Sequence, residues 1–182
     1  MGRLRKKILF PQQALPFHFP PGTYLKFTSS IKNLISDWST LLFAVYYHDF
    51  IYNARRNDNE EKSAEHAAKV LTDLNYDPEL TKKCVSHIMA TKSHHLNNDQ
   101  DTNFLLDADL SILGADWETY KKYFQGVRKE YSIYPDFLYK PGRKKVMEDF
   151  LKMDSIFKTA YYFEKLEVQA RKNIQQELQL LQ

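Results

Sequence analysis

Cysteine is nearly absent from this chain, with Cys84 standing alone. A lone cysteine forms no intramolecular disulfide, which excludes a disulfide-stapled scaffold and leads us to expect a reducing, cytoplasmic setting. Turn formers are thin as well, with five glycines and seven prolines in 182 residues. Such a supply suits helices better than a β fold with many tight turns. No apolar run approaches the ~18 residues that span a bilayer, so no membrane association is expected. The opening MGRLRKKILF is cationic, but Pro11 and Pro16 interrupt any apolar core behind it, and Gly2 has no Ser or Thr at position 6. Neither a secretory signal nor a myristoylation pattern is therefore expected.

A basic folded body is also missing. The formal charge of +3 comes from 26 Lys and Arg against 23 Asp and Glu. Residues 1–30 hold five of the basic residues and no acid, which leaves 21 against 23, or −2, for residues 31–182. A nucleic-acid binder gathers its positive charge on the folded body, so no nucleic-acid partner is expected. What remains is an ordinary globular composition, 43% hydrophobic and 27% charged, in a chain long enough for one domain with a sizeable core.

The character of the chain changes near residue 30. Prolines 11, 16, 20 and 21 fall in a segment with no helical periodicity, read here as an irregular N-terminal segment, and a helical domain over 31–182 follows. Leu34, Trp38, Leu41, Val45 and His48 recur at spacings of four, three, four and three, one face of a helix. Further helices are predicted over Asp58–Leu74, with acids in its first turn, from Pro78 to Thr91, and over Phe104–Leu113 with Gly114 as C-cap. Trp117–Tyr131, Arg143–Leu151 and Ser155–Leu181 complete the set. The last carries a stripe of Ile156, Ala160, Phe163, Leu166, Ala170, Ile174, Leu178 and Leu181. The segment YSIYPDFLYKPG is expected to be an ordered loop. The fold class expected is all-α.

His48-Asp49 is the sharpest chemical signal. Neighbours on a helix point about 100° apart, so the pair can share one metal only at a helix end, and the apolar pattern stops just beyond it. An isolated His-Asp pair is ordinarily a core histidine beside an acid, yet an Asp in a last turn opposes the helix dipole and asks for compensation. Asp107 and Asp109 lie in LLDADLSIL, a segment otherwise apolar enough to be buried. Buried carboxylates need partners, because an unpaired one costs several kcal/mol. A divalent cation shared with His48 and Asp49 would be one, and Mn, Mg, Fe and Zn all suit such ligands. Asp58 and Glu60 read either as acids serving the site or as helix N-terminal charge. Lys92 and His94 read as phosphate-binding or metal-supporting groups, or as members of a solvated loop. Arg128, Lys129, Arg143, Lys144 and Lys145 could grip a phosphorylated substrate or form a wet face. His66 and His87 read as structural, and Cys84 as a core residue.

The runs YYHDFIYN, DNEEKSAE, ATKSHH and LLDADLSILG, with VRKEY and PGRKK downstream, resemble a bacterial branch of the HD superfamily of metal-dependent phosphohydrolases over about residues 31–182. The resemblance implies an all-helical HD-domain-like bundle that holds one or two divalent ions. It implies His48, Asp49 and Asp109 as metal ligands, Asp107 as the neighbour of Asp109, and Asp58 and Glu60 where family members place acids that orient the attacking water or a second metal. The implied substrate is a small phosphorylated compound or nucleotide; the other function class open to such a frame is a non-catalytic helical binding or regulatory module.

The same family carries a further histidine ligand about thirty residues before the His-Asp pair, in an RHYHxxxH-like motif. Here that distance is occupied by His18 within LPFHFPPG, where flanking prolines exclude a helix, and no ligand role is carried to it. We expect residues 1 to about 30 to be translated out of frame. Back-translated with permitted codons and read one base later, Gln12–Thr28 gives NRHYHSISHLEHILNLL, which contains the motif at the right offset. The gene's nucleotide sequence is the check: a neighbouring frame without those histidines ends the idea, and if it encodes them, restoring the frame is expected to restore metal binding.

Overall fold

The computed structural model describes residues 31–53 and 56–182. His18 and the frame reading of residues 1–30 lie outside the described residues. Seven α-helices and two short 3-10 segments account for the regular structure, and no strand occurs among the described residues. The all-α expectation holds. The helices fall into two units, one ending at Asp109 and one beginning at Leu110.

In the first unit, α1 spans Trp38–Tyr47, α2 Asn59–Asp73, α3 Pro78–Ala90 and α4 Gln100–Leu110. Helix α1 begins later than the periodicity suggested. Asp37 caps it by accepting from Thr40 N–H at 3.1 Å, and Leu34 is left half exposed in a separate 3-10 turn. The Asp101 carboxylate accepts from the Ser36 and Asp37 N–H groups at 2.8 and 3.0 Å, so a distant acid satisfies the entry to α1. Leu41 and Ala44 pack with Ala64, Ala67, Leu71, Cys84, Ile88 and Leu105 in one apolar cluster. Burial pushes the Cys84 thiol up to about 12, so it stays protonated and inert at neutral pH.

Helix α2 ends in a Schellman motif. Asn75 adopts the left-handed conformation with φ 54°, and the N–H groups of Asn75 and Tyr76 reach the carbonyls of Thr72 and Leu71, each at 2.9 Å. Helix α3 starts as its sequence implied, with Pro78 at the first position and Asp77 accepting from Glu79 and Leu80 N–H. Helix α4 begins one turn earlier than Phe104. The polar run before it is not loose: Asn97 accepts from Asp99 N–H, Asp99 from Asp101 N–H and Asn103 from Asn97 N–H. Side chains that bond local backbone hide a helix start from an apolar count.

In the second unit, a 3-10 turn over Ser111–Gly114 precedes α5 (Trp117–Glu130), α6 (Asp136–Leu151) and α7 (Ala160–Leu180). Gly114 is not a left-handed cap, since no described glycine has positive φ. Its need is space: a Cβ there would lie 2.5 Å from Leu166 Cβ on α7. The expected loop YSIYPDFLYKPG is a correction, because α6 starts at Asp136 and runs through Pro141 and Gly142. Pro141 cannot donate to the carbonyl four residues back; the helix persists because Tyr139, Arg143, Val146, Met147 and Phe150 are buried along it.

Helix α7 begins at Ala160 rather than Ser155, capped by Thr159. The predicted stripe is also corrected: Phe163 is 45% exposed, while Glu167, Asn173 and Glu177 are buried. Each buried polar group is matched. Glu167 accepts from the N–H groups of Ile156 and Phe157, and Asn173 donates to the carbonyls of Leu113 and Ala115 at 2.7 and 2.8 Å. Glu177 receives Arg143 at 2.7 and 3.0 Å and the Tyr120 hydroxyl. Arg143 is therefore a fully buried core residue and no phosphate grip. Arg128 is likewise engaged, donating to Asp136 and to the Tyr131 and Tyr134 carbonyls while lying 4.8 Å over the Tyr139 ring.

Candidate metal centre

All the polar residues of the candidate site belong to the first unit. His48 sits just past the end of α1, its N–H still bonded to the Ala44 carbonyl at 2.9 Å. Its ring donates from Nδ1 to the Val45 carbonyl at 2.8 Å. That bond fixes the tautomer and turns Nε2 towards the acids, the arrangement that metal-binding histidines use. Asp49 follows in the turn, where the chain leaves helical geometry and the next side chain can swing to the same side. Its Oδ2 lies 3.2 Å from His48 Nε2. Asp109, from the last turn of α4, brings Oδ1 to 3.7 Å from the same nitrogen.

One ligand atom from each of His48, Asp49 and Asp109 lies within 4.8 Å of the others. The two observed separations to His48 match those around a divalent ion with bonds of about 2.1 Å, roughly 3 to 4.2 Å. Asp49 Oδ1 is buried without a hydrogen-bond partner among the described residues, a costly state for a carboxylate oxygen unless a cation meets it. Asp109 Oδ2 accepts from His94 Nε2 at 2.7 Å. His94 is buried and takes a left-handed backbone, φ 53°.

The three side chains act on one another's charge. Burial alone would lower the His48 pKa, but the Asp49 charge and the Asp109 carboxylate beside it carry it well above its usual value. Burial raises the Asp49 carboxyl, with His48 opposing. Burial also disfavours ionised Asp109, yet the His48 ring beside it and the hydrogen bond from His94 outweigh it and hold that carboxyl well below the usual range. Two acids around one oriented imidazole thus make a place that attracts positive charge.

The other sequence-derived candidates divide. Asp107 is fully buried but does not join the cluster; two positions from Asp109, it lies about 200° round the same helix. Glu60 is half-buried, its carboxyl raised by burial, and it feels the Asp49 charge. Asp58 turns outward to Arg56, 2.7 Å away, whose hydrogen bond holds it at about 2. Lys92 pairs with Glu61 and donates to the Asn57 carbonyl at 3.1 Å, which fastens the start of α2. Sequence reasoning missed Glu61 as the partner of Lys92, since 31 residues separate them and no local pattern marks the pair. His66 stacks on Phe50 at 4.5 Å, and His87 is buried against Thr102 Oγ1 at 2.8 Å. Both fit the structural roles expected of them.

No helix among the described residues is long and apolar enough to cross a membrane. Compared with known proteins, the chain matches no family model, no curated protein and no solved structure.

Proposed function

We propose that this chain is a metal-dependent phosphohydrolase of the HD type, acting in the cytoplasm on a small phosphorylated substrate or nucleotide. The observation that supports it most is the meeting of His48 and Asp49 with Asp109, 60 residues further along. The fixed Nε2 of His48 and the unpartnered Asp49 Oδ1 suit a cation. His48 Nε2, Asp49 and Asp109 would hold it, with His94 supporting Asp109. A divalent ion bound there lowers the pKa of a water and offsets the charge of a phosphate ester. To Glu60, whose carboxyl burial raises above its ordinary value, we assign acceptance of a proton. Asp58 and Lys92, engaged with Arg56 and Glu61, serve the shape of the α2 entry.

A second reading, a helical binding or regulatory module without catalysis, draws support from the same contacts. The cations expected to grip phosphate, Lys92 and Arg143, are both engaged internally. Metal analysis of the purified protein and a screen of phosphorylated small molecules separate the two. On the catalytic reading a chelator abolishes hydrolysis and Mn²⁺ restores it. Hydrolysis of no substrate, with or without bound metal, would favour the module, and no metal uptake at all would end the catalytic reading.

A further inference from the structure

His94 occupies a backbone position made for another residue. The chain leaves α3 through Thr91, Lys92 and Ser93, and His94 N–H closes the turn on the Ala90 carbonyl at 3.2 Å. With φ 53° at His94, this is the left-handed C-terminal motif in which glycine, or sometimes asparagine, is the usual occupant. A side chain with a Cβ pays a steric penalty there. Strain of this kind persists where the surroundings fix it and the side chain has a use.

The use is visible at the other end of the ring. His94 is buried, and its Nε2 meets Asp109 Oδ2 at 2.7 Å while Oδ1 of the same carboxylate faces His48 Nε2 at 3.7 Å. The imidazole therefore engages one carboxylate oxygen and leaves the other turned to the cluster. His94 itself stands outside the group of mutually close ligand atoms. We propose that His94 is a positioning residue: a strained left-handed turn holds its ring so that Asp109 presents a single chosen oxygen, and His94 does not itself ligate the metal. This inference rests on the metal reading given above.

The test uses the full chain and two metals alone, Mn²⁺ for affinity by calorimetry and Co²⁺ for its visible spectrum. His94→Gly suits the backbone and removes only the ring, so its turn should form. It is expected to bind Mn²⁺ about 10- to 100-fold more weakly, the range for an outer partner of a ligand, while the Co²⁺ band positions stay those of the parent. His94→Gln keeps an N–H that can reach Asp109 and is expected to recover part of the lost affinity, and it carries the test alone if the glycine variant does not fold. Unchanged Mn²⁺ affinity in His94→Gly overturns the proposal, as does a Co²⁺ spectrum that loses a nitrogen ligand. A parent protein that binds neither metal overturns the metal reading itself, and that result is distinct from a parent that binds while both variants match it.

Discussion

Asp49→Ala is expected to bind Mn²⁺ at least ~100-fold more weakly than the parent, beyond the loss typical of outer partners, and to lose chelator-sensitive hydrolysis entirely. Asp49 contributes one oxygen 3.2 Å from His48 Nε2 and a second that is buried without a hydrogen bond. Its carboxyl is raised mainly by burial, so its charge is an unfavourable feature of the metal-free protein. Removal should therefore leave the thermal midpoint of metal-free protein equal or higher, while the midpoint gained on adding Mn²⁺ disappears. Calorimetric titration and paired melting curves with and without metal supply both numbers. Full Mn²⁺ affinity and turnover in Asp49→Ala would place the chemistry elsewhere.

Arg143→Met is expected to be the most damaging single change to stability. It leaves Glu177, 1% exposed, as a buried carboxylate that keeps the Tyr120 hydroxyl but loses its cation. Removal of one partner from a buried pair costs about 3–5 kcal/mol, against a total stability of about 5–15 kcal/mol for a typical domain. Combining it with Glu177→Leu should recover most of the loss, because two apolar groups replace a pair whose desolvation was expensive from the start. Urea denaturation of the two single variants and the double variant forms a closed cycle. Additive losses in the double variant would mean that the two side chains do not act as a pair.

The contrast between these residues explains what could be read from the sequence. His48 and Asp49 were legible because they end an apolar helix face with groups that cannot be buried without help. The apolar run LLDADLSIL marked Asp107 and Asp109 alike, and only the family resemblance chose Asp109, which meets the other two. Pro78 and Asp77 were legible because helix starts have a local chemistry. Glu177 and Asn173 were not, since periodicity counts only apolar residues, and α7 lines its buried face with acids and amides whose partners lie on other segments. Arg143 resembled a surface charge because its partner is 34 residues away. The first turns of α4 and α6 were hidden by polar and proline-rich sequence that long-range burial overrides. Asp107 was misplaced for a geometric reason: adjacency along the chain is not adjacency around a helix.

Cys84, sealed in the apolar cluster with its thiol raised, has a practical side. A chain with one unreactive thiol is ready for site-directed labelling as it stands. Cysteines introduced in pairs on the exposed faces of two helices would be the only ones to take a maleimide dye or spin label. Distances between α1 and α4 could then be followed during metal titration without first replacing the native residue and disturbing Leu41, Ala67 and Ile88 around it.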